Sequence, residues 1–337
     1  MLTTLDFVCL PYTPDLSEGG IAYACRSLPY TYDRMGGSPV DRMRRIAGGV
    51  AVEIAFRRYL STQNVPFDVE GATPFTDRDR YDVALGGRRC DIKSYMLTNR
   101  EQIRALRRDP GLLLKAPALV PLDQYKAEDH TGQDLYLFAF LLALITPGRE
   151  DVYKAQAAGQ PLYLVHAMPQ SWMRPRYWRS LGRLALKSES DQPLSVELGG
   201  QNEQRDYVTE TLHLPPHTRV EAHTDFYTLA CLRISALPEG RLGIYSPAHA
   251  ETYLIGSYDW GNIWVYGMSI FLVGWLTREE FRRRASLIPS GARVFQYSQT
   301  RTKNLAVPVA DLKPLGVLLE KVKGWESVRS GAAGSSV

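Results

Sequence analysis

The 337-residue sequence predicts a mixed α/β fold: a mixed-sheet core flanked by helices, with an inserted, mainly β module. Three observations predict it. Helix-period and strand-period patterns alternate up to about residue 146. From 147 to 264 the texture changes to short runs (PLYLVHAM, PLSVELGG, RDYVTETLHL, DFYTLACLRI, RLGIYSP, ETYLIGSY) separated by Gly, Pro and Asn, as in a sandwich or barrel. Buried-strand and helix patterns then return over 265–325. Apolar strands and an excess of basic residues lie on both sides of the β-rich stretch. The core therefore reads as 1–146 plus 265–325 around an insertion at 147–264, and residues 326–337, ending in SGAAGSSV, as a disordered tail.

In chain order, Asp41 to about Thr62 carries Met43, Ile46, Ala47, Val50, Ile54 and Leu60 on one helical stripe, weakened by Gly48-Gly49. VPFDVE and RYDVAL are strand-like. RRCDIKSY follows the Gly86-Gly87 pair, a two-residue hairpin signal. NREQIRALRRD is helical and Arg-rich. The apolar run Leu135 to Ile145 is too short to cross a bilayer and reads as a buried strand. SIFLVGWL reads the same way, Thr277 with Glu280 forms a capping box opening the helix TREEFRRRA, and RVFQYSQTRTKNLAVPV is strand-like.

Composition excludes wholesale disorder: 45% of residues are hydrophobic and 23% charged. MLTTLDFVCL lacks the basic lead and apolar core of an export signal, so the expectation is a soluble, cytoplasmic protein with no membrane partner. Cys9, Cys25, Cys90 and Cys231 lack C-x-x-C spacing and read as buried free thiols. The net charge is only +4, but residues 147–264 hold 11 of the 40 basic and 13 of the 36 acidic residues, so the positive balance belongs to the rest of the chain. Arginine outnumbers lysine 31 to nine, and its fork suits phosphate. A nucleic-acid partner fits this distribution.

Asp-x-Lys occurs twice, as Asp91-Ile92-Lys93 and Asp311-Leu312-Lys313, and is a weak pattern without context. The second precedes a proline and reads as surface. The first follows the hairpin turn, where a two-residue loop pairs Leu85 with Arg88, Ala84 with Arg89, Val83 with Cys90 and Asp82 with Asp91. Two opposed carboxylates repel and call for a cation between them. Period-two alternation puts Lys93 beside Asp91 and gives Tyr81, Val83, Cys90 and Ile92 to the packing face. A hard divalent ion such as Mg²⁺ takes carboxylate oxygens, with the Ile92 carbonyl as a further ligand, and Lys93 can orient a water for attack on a phosphodiester. Glu53 lies on the apolar stripe of its helix and needs a partner: the metal site, or an i,i+4 pair with Arg57.

Glu53 on a helix, Asp82 on a strand, a tight turn and Asp91-x-Lys93 on the next strand together resemble the PD-(D/E)XK, or restriction-endonuclease-like, nuclease superfamily. The resemblance covers roughly residues 40–146, with SIFLVGWLTREEF as a later strand and helix. It implies a restriction-endonuclease-like core in which Asp82 and Asp91 bind Mg²⁺, Lys93 serves the attacking water and Glu53 assists. Mn²⁺ is expected to substitute. Tyr81 stands where the name-giving proline would be. The implied activity is a DNA endonuclease, DNA being favoured over RNA, of a restriction or antiviral defence type, with a homodimer for double-strand cutting.

Arg100, Arg104, Arg107 and Arg108, then Arg282, Arg283 and Arg284, are candidates for a phosphate-binding surface, and Gln299, Arg301 and Lys303 in QYSQTRTKN for base or phosphate contacts. In the insertion, His213, His217, His223 and Asp225 surround a Pro-Pro turn and make a poor metal site. Trp260, Trp264 and Tyr266 read as core before stacking platforms. The inserted module is the expected site for recognising a nucleic-acid sequence, a small signal or a partner chain. The competing reading is a non-catalytic nucleic-acid-binding or scaffold protein that keeps the fold.

Overall fold

The computed structural model describes residues 2–30, 37–69, 82–126 and 131–333, with side chains up to 325. It is a mixed α/β fold that divides into two compact units: residues 1–20, 48–144 and 266–337, and residues 21–47 with 145–265.

The first unit is built on a five-stranded mixed sheet in the order Val8–Leu10, Tyr266–Thr277, Leu135–Leu144, Arg88–Leu97, Val83–Leu85. Among the described strands of this sheet, only the Arg88–Leu97 and Leu135–Leu144 pair is parallel. Leu135 to Ala143 are all buried, as a strand covered on both faces requires, which explains why the sequence there is continuously apolar. Phe138, Phe140, Tyr95 and Phe281 pack into one core with Leu119 and Val307, the latter two from a three-stranded antiparallel sheet of Ser286–Ile288, Asn304–Pro308 and Pro117–Pro121. Thr277 closes the capping box of helix Arg278–Arg284 with Glu280, and Asn99 caps helix Arg100–Arg108.

The second unit contains a five-stranded sheet ordered Gly261–Asn262, Leu164–Ala167, Thr228–Ile234, Leu194–Gln201, Tyr207–Leu214, and a four-stranded sheet ordered Arg219–Glu221, Ala185–Ser188, Leu242–Tyr245, Tyr253–Ile255, all antiparallel. Their inner faces share a core including Leu186, Leu198, Phe226, Leu232 and Ile244.

Several expectations are corrected. Residues 21–47 group with the β-rich unit, not with the first part of the core. Their bonds explain why: Tyr30 donates to the Arg205 carbonyl at 2.9 Å, and Arg44 donates to the Asn262 carbonyl at 2.7 Å. On helix Pro39–Thr62, Met43, Ala47 and Leu60 are buried as expected, but Ala51, Val52, Ala55 and Phe56 complete the buried face while Ile46, Val50 and Ile54 are only half-buried. QYSQTRTKN is not a strand. Pairing starts at Asn304, because Thr300 closes the preceding loop through Pro289, Gly291 and Ala292. Residues 326–333 continue helix Leu315–Ala333, anchored by buried Leu315, Leu318 and Val322; the end of the expected tail, 334–337, lies outside the described residues. Cys9 is exposed on the outermost strand, whereas Cys25, Cys90 and Cys231 are buried free thiols. Among the described residues no helix is long and apolar enough to cross a membrane.

Candidate active site

Gly86 and Gly87 both adopt positive φ, 56° and 74°, as a two-residue turn that follows the strand twist demands. The register is Leu85 with Arg88, Ala84 with Arg89 and Val83 with Cys90. Val83, Cys90 and Ile92 are buried on the packing face; Tyr81 lies outside the described residues.

The fourth expected pair, Asp82 with Asp91, is not part of the ladder. The chain leaves strand geometry at Asp82, whose N–H donates to the Cys90 carbonyl at 3.3 Å. The Ile92 amide, which a further ladder step would have paired with backbone, donates instead to Asp82 Oδ2 at 2.6 Å. Asp82 is thus fixed against the backbone beside Asp91 rather than facing it across the hairpin.

Asp91 and Lys93 do share a face: Lys93 Nζ lies 2.5 Å from Asp91 Oδ2. It also donates to Gln124 Oε1 at 3.0 Å, from the short helical turn Leu122–Tyr125, and sits 6.0 Å from the centre of the Tyr136 ring. The Lys93 side chain is only 13% exposed, so these acceptors stand where water would otherwise solvate its ammonium group. Tyr136 neighbours Asp91 across the parallel pair. Burial first, then the Asp91 charge, pushes its hydroxyl well above the usual range, against the opposing pull of Arg278. Arg278 lies 4.6 Å over the Tyr125 ring and donates to the Tyr125 carbonyl. Sequence reasoning misses Gln124, Tyr136 and Arg278 as site residues, because the strand order that gathers them is not written in local spacing.

Glu53 takes the i,i+4 alternative: Arg57 Nη2 stands 3.6 Å from Glu53 Oε2. The same nitrogen donates to the Asp82 carbonyl at 2.9 Å, so Arg57 links the helix to the base of the hairpin. Among the described residues no three His, Cys, Asp or Glu side chains gather as a metal-ligating group, so Glu53 does not join Asp82 and Asp91 in one. Asp82 and Asp91 carry carboxylate oxygens, the donor type that Mg²⁺ takes one or two of while keeping several waters. Both charges reach one point: after burial, Asp82 and then Asp91 raise the Cys90 thiol well above its ordinary value, with Lys93 opposing.

Arg100, Arg104, Arg107, Arg108, Arg282, Arg283, Gln299, Arg301 and Lys303 lie at the surface, most of them well exposed. Two of them are partly committed, Arg107 donating to the Gly267 carbonyl at 3.1 Å and Arg283 pairing with Glu279, and the neighbouring Arg284 donates to the Asp311 carbonyl at 2.6 Å. In the other Asp-x-Lys triplet, Lys313 pairs with Glu280. His217 binds Asp191 at 2.8 Å, and Trp260 and Trp264 are buried. No family model matches the chain, and neither does any curated protein or solved structure.

Proposed function

We propose that the hairpin centre hydrolyses phosphodiester bonds of nucleic acid, DNA before RNA, with Asp82 and Asp91 holding Mg²⁺. The observation that carries this reading is the placement of Lys93, whose Nζ is held between Asp91 Oδ2 and Gln124 Oε1, while a second carboxylate, that of Asp82, accepts from the amide of the intervening residue Ile92. A bound divalent cation would supply Lewis acidity toward a phosphoryl oxygen and toward water. Asp82 and Asp91, with the Ile92 carbonyl, are its oxygen donors. Lys93 keeps its protons directed by its two acceptors, so that one remaining N–H can orient a water or meet developing phosphate charge. Gln124 fixes that direction, Arg57 braces the Asp82 backbone, and Glu53 assists through Arg57. The surface arginines of Arg100–Arg108 and Arg278–Arg284 provide the sequence-independent attraction to the phosphate backbone. Restriction or antiviral defence is the setting we favour for such an enzyme, with a second copy where both strands are cut.

The test incubates wild type and Lys93→Ala with plasmid and single-stranded DNA in Mg²⁺, Mn²⁺ or EDTA. Cleavage by wild type in either metal, lost in EDTA and reduced at least roughly a hundredfold in the variant, is expected. Equal cleavage by both proteins overturns the assignment. The absence of a third ligating side chain among the described residues favours one other reading, a nucleic-acid-binding scaffold, which would bind DNA without cutting it in any divalent metal.

A further inference from the structure

The second unit contains a cavity of about 290 Å³, formed entirely by its own residues, whose wall includes Ser38, Asp41, Arg44, Arg149, Tyr258 and Trp260. Its size lies near the lower end for small-molecule sites. Three features set its chemistry.

The first is a buried cation, in a wall where Arg44 and Arg149 stand with Asp41 and Asp259. The Arg44 side chain is 5% exposed, and burial depresses its proton affinity against the pull of Asp41, the carboxylate bound to it at 3.0 Å. Asp41 is itself 53% exposed and also accepts from the Ser38 hydroxyl. Arg44 Nη2 is spent on the Asn262 carbonyl, while its Nε–H and the indole N–H of Trp260 are buried without an acceptor. Two buried donors lacking acceptors on residues that line one cavity are a costly arrangement.

The second feature is direction. Helices Pro39–Thr62 and Arg149–Ala157 both present their first residues to the cavity, and helix N-termini carry positive potential. The third is a platform. The Arg149 guanidinium lies 4.0 Å over the Tyr258 ring and donates to Ser257 Oγ at 3.2 Å and to the Tyr153 hydroxyl at 2.7 and 3.1 Å, yet Tyr258 remains 82% exposed. A phenol ring pinned by arginine with most of its surface in solvent accepts a planar heterocycle by stacking.

We propose that this cavity binds a nucleoside monophosphate: phosphate toward Arg149 and the two helix starts, base on Tyr258, and sugar hydroxyls toward the Asp41 carboxylate. The site is separate from the hairpin chemistry and does not depend on it.

The test is isothermal titration of the full chain with AMP, GMP, adenosine and inorganic phosphate in EDTA, which keeps divalent metal away from the hairpin. One saturable site per chain for AMP or GMP is expected, with adenosine and phosphate each at least roughly tenfold weaker. Tyr258→Ala and Arg149→Ala should each weaken nucleotide binding roughly tenfold at unchanged melting temperature, while Asp91→Asn leaves it unaltered. Binding of no nucleotide overturns the proposal. So does nucleotide binding that survives both cavity variants, or a response to inorganic phosphate as strong as that to nucleotide.

Discussion

The Asp82 carboxylate accepts the Ile92 amide at 2.6 Å, standing in for the backbone carbonyl that a continuing ladder would have supplied. That gives Asp82 two separable jobs, an acceptor for a backbone donor and a negative charge. Asparagine keeps the acceptor and removes the charge; alanine removes both. Asp82→Asn should therefore melt within a degree or two of wild type yet lose cleavage, whereas Asp82→Ala leaves the Ile92 N–H without its partner and should cost about 1–3 kcal/mol in chemical denaturation. Equal stabilities for the two variants would show that the bond contributes nothing to the fold.

Asp91 and Lys93 present a second coupling. Their side chains are 28% and 13% exposed, so solvent screens the pair only in part. A double-mutant cycle with Asp91→Asn and Lys93→Met, read by urea denaturation, should give a coupling of about 1 kcal/mol. A coupling indistinguishable from zero would mean that Gln124 alone suffices to hold the lysine.

How far the sequence can be read follows the range of each interaction. The Gly86-Gly87 turn, its three-pair register, the Thr277 capping box and the buried Leu135–Leu144 strand all depend on neighbours within a few residues, and are legible. Local alternation also places Lys93 beside Asp91. It cannot show that the strand ends at Asp82, because the acceptor for Ile92 is a side chain. Nor can it show Gln124 against Lys93, since that contact needs the packing of Pro117–Pro121 and its following turn. Sequence adjacency joins residues 21–47 to the core, while their partners Arg205 and Asn262 lie far along the chain.

Two glycines make opposite predictions. A Cβ on Gly200 would lie 2.0 Å from the Thr228 carbonyl oxygen in the adjoining strand, and backbone cannot yield as a flexible side chain can. Gly200→Ala should destabilise the protein by several kcal/mol or prevent folding of the β-rich unit. Gly316 lies in the first turn of helix Leu315–Ala333, and a Cβ there would meet no described atom within 4 Å. Gly316→Ala should stabilise by about 0.4–1 kcal/mol, since alanine has less backbone freedom to lose on folding. Thermal melts of both variants settle the pair, and a neutral Gly200→Ala would refute the close approach of these strands.

The pH dependence of stability should trace to His166 and His249. His166 offers its ring nitrogens to the Asp259 carbonyl at 2.9 Å and the Tyr253 hydroxyl at 3.1 Å, and burial lowers its proton affinity, only partly offset by Asp259. His249 stacks on Trp172 at 4.2 Å and is lowered by burial, then by the Arg179 charge. Both therefore bind protons less readily folded than unfolded. Above about pH 6.5 the two states are alike and the histidines contribute no slope; as pH falls below about 6.5 the unfolded chain takes up protons first and stability is lost. The loss is at most about 1.4 kcal/mol per pH unit for each histidine. Urea midpoints measured from about pH 7.5 down to about pH 5 should fall, and His166→Gln, which can still donate to the Asp259 carbonyl, should fall less steeply. A slope unchanged in both His166→Gln and His249→Gln would assign the acid sensitivity to the carboxylates instead.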